Sequence, residues 1–323
     1  MPSIIKDSFY INKIAELVFE NEHYQTYKIL PQYGRGIFTI HKIIPGLNLA
    51  YNNFFLKNKL VNQAKDYQWF SDSLLKINYC IKGKMFAYNK AGRVCISNGG
   101  TSSYYYGTEN IYAVDHFEKH YESITIFGYM SQIINTFTAI FNIKEQVFID
   151  FINEINVGKE FMVIKSNSIV MKLVNEIYEC CNKNNPENIK LKTIELLFYE
   201  IKNIQRNKNT VEQYYNRTTI DKVMGIEQYL INNVDKKITV NDLCKKFNIT
   251  LDTLKRCFKQ MYNQSIYAYL KMKRMTKGKE LLEHSNLSIT EIALNCGYSN
   301  HHSFGKAFKQ TYKIPPREIR KKA

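Results

Sequence analysis

Two stretches of this chain are written to one plan, and that repetition constrains the fold more than any other feature. The first reads ITVNDLCKKFNITLDTLKRCFKQMY from Ile238 to Tyr262, the second LSITEIALNCGYSNHHSFGKAFKQTY from Leu287 to Tyr312. Phe258-Lys259-Gln260 returns as Phe308-Lys309-Gln310 at an offset of 50, whereas Asp242-Leu243 returns as Glu291-Ile292 at 49, so the second turn is one residue longer. A repeat at fixed spacing implies one supersecondary unit used twice.

Each copy has the chemistry of two short helices meeting at a tight turn. Thr239 and Ser288 each precede an acidic residue by three positions, Asp242 and Glu291, the spacing of a capping box or a near-variant of it. Asn248 and Gly297 fall where the turn demands positive φ. Leu251, Leu254, Phe258 and Met261 then recur at helical spacing as one apolar stripe, and Phe304, Ala307, Phe308 and Thr311 form its counterpart. Asp252, Thr253, Lys255, Arg256 and Lys259 are left on the outer face of the first copy, and His301, His302, Gly305, Lys306 and Lys309 on that of the second. The intervening Ser265 to Ser285 reads as a continuous helix spanning roughly 30 Å. That is close to the roughly 34 Å between successive major-groove faces of B-DNA.

These residues resemble the DNA-binding domain of the AraC/XylS family of bacterial transcription regulators. The likeness rests on Leu254 to Lys259, Tyr269-Leu270 with Arg274 and Leu281-Leu282, Glu291-Ile292-Ala293, Gly297-Tyr298, Phe304, Phe308-Lys309 and Pro315-Pro316. Asn248, Asn263 and Lys313 stand at usual glycine positions, Gly278 replaces an alanine of the linker helix, and Ile319 replaces an aromatic. Gly278 is expected to loosen that helix by about 1 kcal/mol.

The resemblance implies base contacts from Arg256 and Lys306, since Arg grips guanine O6/N7 through two bonds and Lys does so less rigidly. Asp252 either accepts from cytosine N4 or orients Arg256, the second reading being favoured. Thr253, His301 and His302 complete the base-contact candidates, the histidines having a solvated or capping pair as the plain alternative. Lys255, Lys259, Lys309 and Arg274 are the phosphate candidates, together with Lys271 and Lys273; a solvated surface is an even alternative for any one lysine. Arg274 could instead pack inside, bonding carbonyls where the two copies join.

Charge follows the same division. The chain's net charge of +16 is concentrated in residues 219–323, where 20 Lys/Arg against 9 Asp/Glu leave a surplus of 11. Phosphate binding needs such an excess. Seven cysteines with no CxxC pair read as reduced thiols. The first residues lack a signal-peptide pattern and no apolar run approaches about 18 residues, so a cytoplasmic protein without a membrane span is expected.

Residues 1 to about 30 open with a possible amphipathic helix through Ile11, Ile14, Ala15, Val18 and Phe19. Short runs rich in Ile, Val, Tyr and Phe follow: Gly36–Ile44, Leu47–Leu56, Leu75–Ile81, Gly92–Ile96 and Ser123–Phe127. Their turn signals argue an all-β barrel or sandwich. Helical spacing returns over residues 129–206, with stripes at Val147, Phe148, Phe151, Ile152 and Ile155, at Val170, Leu173, Val174, Ile177 and Tyr178, and at Ile194, Leu197, Phe198, Ile201 and Ile204. Residues 207–218 are polar and read as a linker, followed by a helix from Ile220 to Ile231.

Together with the resemblance, this gives an α+β multidomain chain: an N-terminal cupin-like β-barrel with helices over residues 1–128, a helical, possibly dimerising segment over 129–206, and an all-α domain over 219–323 with two helix-turn-helix units joined by a linker helix. Trp69, Phe70, Tyr79, Phe86, Tyr104, Tyr105, Tyr106 and Tyr112 are effector-pocket candidates, ordinary barrel core being the plainer reading of such aromatics. Of these Trp69, Tyr79, Phe86, Tyr105 and Tyr112 are preferred. His116, Glu118 and His120 lie close in sequence without the downstream ligands of a metal-binding cupin, so neither metal, cofactor nor catalysis is expected. The expected partners are promoter DNA, RNA polymerase, a small-molecule effector and a second copy of the chain. The alternatives are a ligand-independent architectural DNA binder and a cupin-type enzyme fused to a DNA-binding module.

Overall fold

The computed structural model describes residues 14–57, 74–89, 92–107, 113–116, 120–155, 162–204 and 215–320. The chain divides into two compact units, Met1–Tyr214 and Tyr215–Ala323.

Among the described residues of the first unit, ten strands precede the first of four helices. They are β1 (Ala15–Glu20), β2 (Tyr24–Ile29), β3 (Gly34–Ile44), β4 (Leu47–Leu56), β5 (Leu74–Lys82), β6 (Lys84–Tyr88), β7 (Arg93–Asn98), β8 (Thr101–Tyr106), β9 (Ala113–His116) and β10 (His120–Tyr129). Then come α1 (Met130–Phe141), α2 (Glu145–Ile155), β11 (Met162–Lys165), α3 (Ser168–Asn182) and α4 (Pro186–Asn203). One antiparallel sheet runs β1-β2-β3-β4-β10-β5-β8-β11, and a second places β6 between β7 and β9. The hairpin from β3 to β4 turns at Pro45-Gly46; Gly46 has φ 84°, and a Cβ there would stand 2.4 Å from Gln132 Cβ on α1. Glycine is required on both counts.

Strands β10, β5 and β8 of the large sheet are buried on both faces, with residues alternating between them as a strand's period of two dictates. Leu47, Leu49, Tyr51, Leu75, Ile77, Tyr79, Tyr104, Ile124 and Ile126 share one core with Ile133, Phe137, Phe148, Phe151, Val174, Ile177, Leu196 and Leu197 of the helices. Phe38, Ile40, Phe54, Leu56, Cys80, Tyr105 and Tyr121 form another with Met85, Ala87 and Cys95 of the smaller sheet. All three helical stripes read from the sequence therefore enter the intramolecular core.

Several expectations change. Ile11 lies outside the described residues, but Ala15–Glu20 is a strand, paired from Ala15↔Ile29 to Glu20↔Gln25, where a helix was expected. Val18 and Phe19 suit a strand as well as a helical stripe, and pairing with β2 decides between them. The α4 stripe is also rotated. Leu197 and Ile201 are buried as expected, but Ile189, Thr193, Leu196 and Glu200 complete the buried face while Ile194 and Phe198 are only partly covered. All seven cysteines are free, and no described helix is long and apolar enough to cross a membrane.

The second unit is helical: α5 (Arg217–Asn232), α6 (Val240–Phe247), α7 (Leu251–Tyr262), α8 (Ile266–His284), α9 (Ile289–Asn295), α10 (His301–Tyr312) and α11 (Pro316–Arg320). The α5 helix starts three residues before the Ile220 read from sequence. Helix α8 has no single apolar face. Ile266, Tyr269 and Leu270 are buried in its first half and Met275, Gly278 and Leu282 in its second. At 100° per residue the two sets centre on roughly opposite sides, so the helix passes between two cores.

Candidate nucleic-acid interface

The repeat in the sequence reappears as a repeat in hydrogen bonds. Thr239 Oγ1 accepts from Asp242 N at 3.2 Å while Asp242 Oδ2 accepts from Thr239 N at 3.2 Å. Ser288 Oγ accepts from Glu291 N at 3.2 Å while Glu291 Oε2 accepts from Ser288 N at 2.7 Å. Both capping boxes are closed. The Thr239 hydroxyl, at 2.6 Å, and then its backbone N–H hold the Asp242 carboxyl below the ordinary carboxylate range, and the Ser288 backbone N–H and then its side chain do the same for Glu291. The second helix of each copy has its own cap, missed in the sequence: Thr250 accepts from Thr253 N, and Asn300 from Ser303 N. The signal was present in both, a capping residue one position before the first stripe residue in the first copy and four before it in the second.

The turns are left-handed where expected. Asn248 has φ 48° and Gly297 φ 73°; Asn263 and Lys313, which close α7 and α10, have φ 57° and 67°. Behind each turn sits an aromatic stack. Phe258 lies 4.5 Å from Tyr262 and 5.4 Å from Tyr269 between ring centroids, and Phe308 lies 4.7 Å from Tyr312 and 5.5 Å from Phe304. Lys273 Nζ stands 5.3 Å over the Tyr269 ring, Lys279 Nζ 5.7 Å over Tyr312.

Gly278 has a packing reason. A Cβ there would come within 2.7 Å of the Phe304 ring, which is fully buried beside Cys296. The glycine accommodates a larger side chain in the second copy, where the first has Leu254, so the predicted loosening of α8 has a compensating contact.

The outward faces are cationic. Asp252, Lys255, Arg256 and Lys259 are exposed on α7, and His301, His302, Lys306 and Lys309 on α10. Asp252 Oδ2 pairs with Arg256 Nη2 at 2.5 Å one turn along, as the orienting role requires. Thr253 is half-buried and its hydroxyl bonds Thr250 Oγ1 at 2.8 Å, engaged with the cap. Lys271 Nζ donates to Gln310 Oε1 at 3.0 Å, tying α8 to α10. Leu251 departs from its expected inward position: it is 42% exposed, and Cys257 completes the buried stripe with Leu254, Phe258 and Met261. It is the first helical residue, before the stripe has closed on the core.

Arg274, a phosphate candidate, turns inward. Its Nε donates to Val234 O and its Nη2 to Lys236 O, both at 2.7 Å, with the guanidinium 5.8 Å from the Tyr298 ring. A Cβ on Gly297 would stand 2.6 Å from both Arg274 Nη2 and Val234 O, so the glycine of the second turn also makes room for this arginine. The packing alternative describes its place.

In the first unit, Tyr79 and Tyr105 cannot line one pocket. Tyr79 belongs to the core under the helices and Tyr105 to the core between the sheets, on opposite faces of paired strands β5 and β8. Phe86 is fully buried on β6; Trp69, Phe70, Tyr112 and Glu118 lie outside the described residues. His120 bonds Glu122 at 2.8 Å and stacks on Phe55 at 3.9 Å.

A family model described as a helix-turn-helix domain matches residues 243–322. The transcriptional activator RhaR of Mannheimia succiniciproducens is 29% identical over 101 residues, covering 31% of this chain and 37% of its own. RhaS of Klebsiella pneumoniae is 28% identical over 126 residues, covering 39% and 45%. The C-terminal unit is an AraC-type helix-turn-helix domain. Among solved structures, an AraC-type regulator from Chromobacterium violaceum aligns at 25% identity and TM-score 0.30, covering 32% of this chain and 94% of that one. The chain spans less than half the length of the curated relatives it matches, and in all these alignments the AraC-type domain is about a third of the present molecule.

Proposed function

We propose that this protein is a sequence-specific, DNA-binding transcription regulator, an activator by analogy with the RhaS and RhaR proteins it resembles. The observation that carries the reading is the duplication itself: two capped helix pairs, each presenting an exposed cationic second helix, joined by a helix about 28 Å long. We read each pair as a helix-turn-helix unit, with α7 and α10 entering successive major grooves. Arg256 and Lys306 then read bases, with Asp252 orienting Arg256; His301 and His302 reach base edges from the start of α10, and Thr253 supports the cap. Lys255, Lys259 and Lys309 grip phosphate, which sets affinity and register without reading sequence.

The first unit is read as a cupin-like sensor that takes a small molecule or pairs with a second copy, acting in the cytoplasm on RNA polymerase at the promoter. Of the aromatic candidates, Phe86 and Tyr105 belong to the β-rich side of that unit, and Trp69 and Tyr112 remain candidates on the sequence alone. Any effector must bind two states of the protein with different affinity to change its grip on DNA.

Footprinting on the promoter beside the protein's own gene, across a salt series, tests this reading. Two protected major-groove segments about one turn apart, with affinity falling steeply in salt, are expected. Protection of a single groove would refute the two-unit grip, and absence of any selective site in a genome-wide fragment selection would refute sequence-specific regulation.

A further inference from the structure

Helix α4 buries a carboxyl group that neither the DNA-binding reading nor ordinary core packing uses. Glu200 is 3% exposed, in a core of aliphatic and aromatic side chains. The Tyr104 hydroxyl donates to its Oε2 at 2.9 Å. The hydroxyl of fully buried Tyr79 also faces this carboxyl, although it makes no well-aligned hydrogen bond to Oε1. Among the described residues, no cation pairs with it. Lys192, on the same helix, is engaged with Glu176 at 2.8 Å and Glu195 at 2.9 Å.

Among the described residues, the titratable groups facing Glu200 are Tyr79 from β5 and Tyr104 from β8. The α2 helix brings Phe148, Phe151 and Ile155 to this core, α3 brings Leu173, Val174 and Ile177, and β3 brings Ile43. On α3, the Cys181 thiol interacts with Cys180 and Tyr51, and Tyr178 donates to Glu122. Burial pushes the Glu200 carboxyl up to about 7, against the smaller pull of the Tyr104 and Tyr79 hydroxyls.

The two protonation states differ in what they can satisfy. A neutral acid accepts from Tyr104 on Oε2 and carries a proton on Oε1 that the Tyr79 oxygen can accept. The anion can take both hydroxyls as donors, but no described cation offsets the buried charge, which is strongly disfavoured. We propose that Glu200 is a proton-operated latch: protonated, it seats α4 on the sheet, and deprotonated, it loosens the last described helix of the first unit, making pH an input to regulation.

The sign follows from linkage. Because the folded group holds its proton to higher pH than the unfolded one, whose ordinary value is 4.5, its contribution is complete below that value. It is lost as pH rises through about 7, the folded value.

The test is amide hydrogen exchange of residues 193–203 in the full chain from pH 4.5 to 8.5, corrected for intrinsic exchange rates. Protection in the wild type should fall by up to tenfold per pH unit below about 7 and level off above it. Glu200→Gln should abolish that slope, and Tyr104→Phe, which removes a donor to the anion, should move the levelling point to higher pH. A wild-type slope retained unchanged in both variants would overturn the latch. Operator affinity is then compared at pH 6 and 8: a change present in the wild type and absent in Glu200→Gln supports the regulatory role, and equal change in both overturns it. Because exchange needs no DNA, failure to bind any promoter would count against the DNA-binding reading alone, and the exchange profile would still decide the latch.

Discussion

The two helix pairs of the C-terminal unit solve one packing problem with different volumes. Where the first copy places Leu254 at the inner turn of its second helix, the second places Phe304 and removes the opposing side chain by having Gly278 on α8. Where the first turn uses Asn248, the second uses Gly297, whose missing Cβ is also needed by Arg274. Capping and period are held constant between the copies, while side-chain size is traded across a contact.

The comparison breaks hardest at Phe304. Phe304→Ala should destabilise the protein by about 3–5 kcal/mol and Leu254→Ala by about 2–5 kcal/mol, read from chemical denaturation. A smaller loss at Phe304 than at Leu254 would mean that the Gly278 side of the core collapses into the gap. At the turns, Gly297→Ala should cost at least about 2 kcal/mol, since left-handed strain of about 1–2 kcal/mol adds to displacement of Arg274. Asn248→Gly should be neutral or stabilising by under about 1 kcal/mol. Equal effects at the two turns would deny Gly297 its second role.

A double-mutant cycle sharpens the volume trade. Gly278→Ala gains about 1 kcal/mol of helix propensity but overpacks against Phe304 at about 1–3 kcal/mol. It should therefore be neutral to destabilising alone and stabilising in a Phe304→Leu background, and additivity would show that the two positions do not share space. On DNA, Arg256→Ala and Lys306→Ala should each lose about 1–3 kcal/mol of discrimination at one base pair, the two positions separated by about one helical turn. Lys255→Ala and Lys309→Ala should weaken binding to all sequences and lower the salt slope by about 1. Loss at Arg256 that is equal on every sequence would reassign it to phosphate.

How much was readable in advance depended on how local the cause was. Capping boxes, turn residues and most of the inner stripes of α7 and α10 are set within a few residues, and these were legible in the repeat. Strands β3, β4, β5 and β10 were legible for the same reason, their ends falling within a few residues of the observed ones. What failed needed a partner. Val18 and Phe19 joined a strand because β2 lies beside them, and Tyr79 and Tyr105 parted because the register of β5 on β8 sends them to opposite faces. Leu251 belongs to an apolar stripe on paper but precedes the point where its helix meets the core. Glu200 was overlooked because a carboxylate in a helical pattern ordinarily marks the wet face. Of the site candidates, the exposed cations of α7 and α10 could be read from periodicity, whereas the inward turn of Arg274 depends on carbonyls 38 and 40 residues away.

Helix α8 acts as a gauge as well as a connector. Its two halves are buried on opposite sides, and Arg274 fastens its middle to the carbonyls of Val234 and Lys236. Adding or removing a single residue there would turn one reading helix by about 100° and move it by about 1.5 Å relative to the other. On the proposed two-groove reading, the spacing between the two halves of the operator would be locked to a length in the protein, and DNA sites could drift in sequence far more readily than in phase.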